Sequence, residues 1–183
     1  MSSSLLFLGD SFTAGYGLFP EQSMTALIQK DILAEGKDLR VIAAGVSGDT
    51  TADALARLPR YLLKENVIEH AVIELGTNDF FQGFPVSTMR ENFKRIVLTI
   101  RKFDSRIQIF LMQMKILPGS GESKAYESMF GELSAEFGLV LLPFPFSGVI
   151  GHPELNLSDG VHPNAKGTEI VAANVWNSLR LHL

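Results

Sequence analysis

The chain has 183 residues, 46% of them hydrophobic and 20% charged, with a net charge of −4 and no cysteine. That balance is ordinary for a water-soluble globular chain with a substantial core; it excludes disulfides, thiolate chemistry and cysteine-based zinc sites, and its acidity argues against nucleic acid as a partner. No apolar run reaches the roughly 18 residues of a membrane span. Met1-Ser2-Ser3-Ser4 also lacks the basic stretch that opens a signal peptide, so neither a membrane span nor an export signal is expected.

Leu5-Leu6-Phe7-Leu8 reads as a short buried strand that runs into Gly9-Asp10-Ser11. Gly9 lets the chain turn sharply where a Cβ would clash. Ser11 then stands at the carboxyl end of the strand, either as the N-cap of the next helix or as a group presented to a ligand. The spacing of Met24, Leu27, Ile28, Ile32 and Leu33 predicts a helix over 22–34, stopped by Gly36. A second strand over 40–43 empties into Gly45-Val46-Ser47-Gly48-Asp49-Thr50-Thr51. From Thr51 a helix with Leu55 and Leu58 on one face is interrupted by Pro59.

The third strand is Ala71-Val72-Ile73-Glu74-Leu75, ending at Gly76-Thr77-Asn78-Asp79. Helices are predicted over 88–102, 123–137 and 164–181, and strands over 107–114 and 139–142. Strand-length apolar runs alternating with helical periods predict an α/β fold. The expected form is a single three-layer α/β/α domain over residues 1–183, with a five-stranded parallel sheet in the flavodoxin-like order 2-1-3-4-5 and right-handed crossovers. The longest stretch without periodicity, 143–162, is expected to be a functional loop.

That loop ends in Ser158-Asp159-Gly160-Val161-His162-Pro163-Asn164. An aspartate three residues before a histidine, joined through a glycine turn, can set its carboxylate against Nδ1, fix the tautomer and stabilise the imidazolium, as a general base requires. The same residues also read as a turn followed by a helix start. Gly48 can bring its N–H close to a ligand, and the Asn78 amide can donate two hydrogen bonds. With the Ser11 N–H they would form a three-donor oxyanion hole; taken singly, Gly48 and Asn78 are ordinary turn formers.

Gly9-Asp10-Ser11, Ser47-Gly48-Asp49-Thr50, Gly76-Thr77-Asn78-Asp79 and Asp159-Gly160-Val161-His162-Pro163-Asn164 resemble, in order and spacing, the blocks of the SGNH (GDSL) hydrolases. The resemblance covers the chain almost end to end. It is nearest to the bacterial thioesterase I/arylesterase/lysophospholipase group, with which the chain shares Ser-Gly-Asp-Thr and Ala56-Arg57-Leu58-Pro59. It implies Ser11 as nucleophile, His162 as general base and Asp159 as the group that orients the histidine. It implies an oxyanion hole of the Ser11 and Gly48 N–H groups with the Asn78 side chain, and Asp10 as a support of the loop. Thr77 stands where that group often has a second glycine, and Pro118-Gly119-Ser120-Gly121-Glu122 departs from its usual wall.

The activity implied is hydrolysis of carboxylic esters or thioesters, such as aryl esters, acyl thioesters or lysophospholipids, through an acyl-enzyme. No cofactor or metal is expected, since His70, His152 and His182 show no ligand spacing. The expected partner is a small-molecule ester. Phe80, Phe81, Phe84, Ile116, Leu117, Phe144 and Phe146 follow the strand ends, either lining a substrate pocket or capping the core. The stretch 79–85 is a candidate closing loop with Gly83 as its hinge. A carbohydrate-ester deacetylase on the same residues is one alternative. A non-catalytic flavodoxin-like binding module is another, weakened by the lack of any Walker A or Gly-x-Gly-x-x-Gly run.

Overall fold

β1 (Ser3–Gly9) is buried from Ser4 onward, because layers of the fold cover both of its faces. The computed structural model describes residues 3–116 and 121–183. On one side β1 pairs with β2 (Leu39–Gly45) and on the other with β3 (Ile68–Glu74). β4 (Gln108–Met112) and β5 (Val140–Leu142) follow, giving a five-stranded parallel sheet in the order β2-β1-β3-β4-β5, as expected. Strands buried on both faces lose the apolar–polar alternation, which is why they read as unbroken apolar runs.

α2 (Met24–Ala34) packs against α7 (Ala165–Leu179), while α5 (Val86–Phe103) packs against α3 (Thr51–Arg57) and α6 (Gly121–Phe137). The connection from β1 to β2 runs one way across the sheet and the later ones run the other. Right-handed crossovers therefore place α2 on the opposite face from α3, α5 and α6. Between these layers lies a continuous apolar core, in which Phe93 and Tyr126 each meet Phe130 edge to face, at 5.6 and 5.2 Å.

Several boundaries move for local reasons. Ser23 caps α2 through the N–H of Ala26, and Pro20–Gln22 form a separate 3-10 turn. α3 stops at Arg57, and Pro59 sits in a 3-10 turn, Leu58–Arg60, where its missing N–H is tolerated. Two single-turn helices, α1 (Ser11–Ala14) and α4 (Thr77–Phe81), are too short to leave a periodic signature in the sequence. The long loop after β5 is held by side-chain amides. Asn156 Nδ2 donates to the carbonyls of Val149 and His152 at 2.9 and 2.8 Å, and Asn164 Nδ2 donates to that of Glu154 at 2.8 Å.

Parallel register levels the strand ends. Gly9 lies opposite both Gly45 and Glu74, so the chain leaves β1, β2 and β3 side by side. The segments carrying Ser11, Gly48 and Asn78 thus emerge at one edge of the sheet.

Candidate active site

The turn after β1 is capped by Asp10, whose Oδ1 accepts the Phe12 N–H at 3.1 Å. Ser11 is therefore the first residue of α1 and not its cap, and its side chain is available for other contacts. Its Oγ lies 2.9 Å from His162 Nε2, and His162 Nδ1 lies 2.7 Å from Asp159 Oδ2. The other carboxylate oxygen of Asp159 accepts the N–H groups of His162 and Val161, each at 2.9 Å. Those backbone bonds, aided by the imidazole, hold the Asp159 carboxyl down at about 2. Leu157 N–H donates to the His162 carbonyl at 2.7 Å, which closes the Asp-Gly turn. The imidazole lies against the rings of Tyr16 and Phe12, with centroids 4.6 and 5.2 Å away.

The residues expected to donate to an anion lie on turns at the same edge. Gly48 has a φ of +87°, a left-handed backbone that disfavours any side chain, and its turn is exposed. Ser11, at the first helical position, has an N–H without an intrahelical partner. Asn78 Nδ2 donates to the Asp49 carbonyl at 2.9 Å and to Asp10 Oδ2 at 3.3 Å. It is thereby tied to the residues next to Gly48 and next to Ser11.

Beside Phe12 runs an apolar groove of about 230 Å³, walled by Phe81, Ile116, Phe144, Phe146 and Val161. Four of the aromatic and aliphatic residues expected there, Phe81, Ile116, Phe144 and Phe146, do line it. Phe80 does not: it turns to the core and packs on Tyr126 at 5.2 Å. Phe84 is also absent from the groove and is exposed. Leu117, and the departure from the usual wall at 118–120, lie outside the described residues. Phe12 and Val161 were not expected in the lining, although each adjoins a residue of the Ser11–His162 pair; adjacency in sequence was the available signal. The stretch 79–85 is not an open loop. α4 occupies its start, and the Gly83 N–H bonds the Phe80 carbonyl just past the helix end.

A model of the GDSL-like lipase/acylhydrolase family matches residues 7–170. The chain belongs to that family. It is similar to an arylesterase of Vibrio mimicus, 36% identical over all of this chain and 90% of that protein. It is also similar to the esterase TesA of Pseudomonas aeruginosa, 34% identical over 98% of this chain and 89% of the other. Among solved structures it superposes on the esterase EstA of Pseudoalteromonas, inhibited by monoethylphosphonate, with a TM-score of 0.91 and 32% identity over 98% of this chain and 97% of that one.

In this GDSL hydrolase the strand-end loops are stitched together by polar groups whose partners the sequence does not reveal. Buried Arg57 donates through Nε to Asp49 at 2.5 Å and through Nη2 to the Gly9 carbonyl at 2.8 Å, with Tyr61 beneath its guanidinium. Asp79 accepts both the N–H and the hydroxyl of Thr51, at 2.8 and 2.5 Å, which ties α4 to the start of α3. Asn92 donates to the same hydroxyl from α5 at 3.0 Å.

Burial raises the Asp10 carboxyl from 3.8 to about 7, against the Phe12 N–H that works to lower it. Burial also pushes Glu74 well above the usual carboxylate range, and the Asp10 carboxylate adds to the effect. A carboxyl inside the apolar run 71–75 was the sequence signal for Glu74. Among the described residues no group of three or more His, Asp or Glu side chains is arranged to hold a metal ion, and no helix is long and apolar enough to cross a membrane.

Proposed function

We propose that this GDSL hydrolase is a serine esterase of apolar carboxylic esters and thioesters. The observation that carries the reading is the continuous contact from Ser11 Oγ through the His162 ring to Asp159, at 2.9 and 2.7 Å. Ser11 Oγ attacks the ester carbonyl while His162 Nε2 takes its proton, and ionised Asp159 stabilises the imidazolium. The oxyanion is received by the Ser11 and Gly48 N–H groups and by Asn78 Nδ2. Both Asn78 donors are engaged at rest, and the 3.3 Å bond to Asp10 is the weaker one that an oxyanion displaces.

The tetrahedral species collapses as His162 returns the proton to the departing alcohol or thiol, leaving an acyl group on Ser11. Water, deprotonated by His162, then attacks the acyl-enzyme, and the carboxylic acid leaves by the same route in reverse.

The substrate class rests on the groove. Its lining is mostly aromatic and aliphatic, with Thr77 and Lys115 among it, which suits the apolar part of an aryl or acyl ester. The names of the Vibrio and Pseudomonas relatives, arylesterase and esterase, are in keeping with that class. Hydrolysis of p-nitrophenyl esters from acetyl to long acyl chains, with Ser11→Ala alongside, tests the reading. Turnover lost in the variant, with a preference for aryl or medium-chain esters, is the expected result. Retained turnover in Ser11→Ala overturns the mechanism, and activity confined to acetate points instead to a carbohydrate-ester deacetylase.

A further inference from the structure

Glu74 is fully buried at the carboxyl end of β3, where the preceding residues Ala71, Val72 and Ile73 are buried and apolar. A carboxyl in such a place costs stability, which makes it a candidate for a role beyond packing. Among the described residues it makes no hydrogen bond to Ser11 or His162. Its Oε2 instead accepts the Thr13 hydroxyl at 2.8 Å and the Asp10 N–H at 3.4 Å, while Oε1 has no hydrogen-bond partner among the described residues. Asp10 and Thr13 flank Ser11 in the chain. One oxygen of the neighbouring strand thus grips the turn on both sides of the serine.

The space around this grip is filled. A Cβ built on Gly9 would lie 2.0 Å from Thr13 Oγ1 and 2.7 Å from Glu74 Oε2. Gly9 has no positive φ, so it is a glycine because these two side chains occupy the volume beside it, and not because the chain must turn there. On the other flank, Arg57 holds the Gly9 carbonyl.

We propose that Glu74 is a positioning residue for the proposed Ser11 nucleophile: it clamps Asp10 and Thr13 to β3, so that Ser11 Oγ stands within reach of His162. The clamp needs an acceptor oxygen, not a negative charge. Full burial behind apolar residues, with only two donors on the carboxyl, favours the neutral acid. This inference rests on Ser11 being the nucleophile, and its test separates the two.

Glu74→Ala, Thr13→Val and Glu74→Gln are compared with the wild type for kcat and KM on a p-nitrophenyl ester, at a temperature where near-UV circular dichroism shows each folded. The rate of covalent labelling by a fluorophosphonate is measured on the same samples. Loss of the clamp lowers kcat about 10-fold or more, with labelling slowed in parallel and KM nearly constant, because small misplacements of reacting groups carry large kinetic costs. Glu74→Gln keeps the acceptor and stays within about threefold of wild type. A role confined to stability would move the melting temperature and leave kcat alone.

If Glu74→Ala does not fold, Thr13→Val decides, since it removes one bond and leaves Glu74 in place. Wild-type kcat in the folded clamp variants, or a loss in Glu74→Gln as large as in Glu74→Ala, overturns the proposal while the Ser11 mechanism stands. Retained turnover in Ser11→Ala overturns both.

Discussion

The imidazole of His162 has work assigned to each nitrogen. Nδ1 meets a carboxylate that its own turn keeps ionised, and Nε2 meets the Ser11 hydroxyl. Residues that act as one unit fail together. Ser11→Ala and His162→Ala are each expected to lower kcat by about 10⁴-fold or more, and the double variant to be scarcely worse than either, in steady-state assays on p-nitrophenyl esters. Asn78, as a proposed oxyanion donor, is tested separately: Asn78→Ala is expected to cost on the order of 10²–10³ in kcat with little change in KM. Ser11 and Asn78 were legible as polar residues at strand ends and His162 as the end of the long loop before the last helix, and together they carried the resemblance. The groups that hold them were less so. Arg57 and Asp79 lie in stretches shared with the family, but the contacts they make, like those of Thr51, exist only once folding brings distant segments together.

Short elements at the sheet edge depend on close approach of backbone to backbone. A Cβ on Gly45 would lie 2.3 Å from the amide nitrogen of Ala14, so β2 and α1 can touch only through a glycine. Gly45→Ala is expected to destabilise the protein by about 1–3 kcal/mol or more, because backbone gives way less readily than a side chain. Gly131, inside α6, is the opposite case: among the described residues no neighbouring atom lies within 4 Å of where a methyl group would stand. Gly131→Ala is expected to stabilise by about 0.4–1 kcal/mol through the loss of backbone freedom in the unfolded chain. Thermal melts of the two variants should move in opposite directions. At this scale the long helices and strands could be read from their periods. α1 and α4 could not, since a single turn has no period to detect, and it is caps and tethers such as Asp10 and Asp79 that hold them.

Across the whole molecule, burying acids makes stability depend on pH. Asp10 keeps its proton in the fold up to about pH 7, whereas in the unfolded chain it releases it near 3.8. The folded state thus binds the extra proton between those values, and stability falls as pH rises through the window. Glu74, raised by burial and by Asp10, pulls in the same direction, while buried Tyr126 stays protonated throughout. His70 opposes them, since burial lowers its affinity for a proton and the fold loses stability as pH drops. Glu74→Gln isolates the carboxyl: the fall in melting temperature from pH 5 to pH 8 should be smaller in the variant than in the wild type. An equal or steeper fall would contradict the assignment of a raised carboxyl to that position.

The sequence by itself determined the layered α/β architecture, because burial patterns are local properties of the chain, and the order 2-1-3-4-5 followed as the simplest arrangement of five such strands. Tertiary structure alone decided which aromatic rings wall the groove and which turn inward, as Phe81 and Phe80 illustrate. It also decided that Asp10 and not Ser11 caps the first helix, and that Glu74 reaches across to grip it. The grip of Glu74 depends on parallel register, which brings Gly9, Gly45 and Glu74 level although they lie far apart in the chain. Register is set by packing summed over the whole sheet, and no short stretch of residues encodes it.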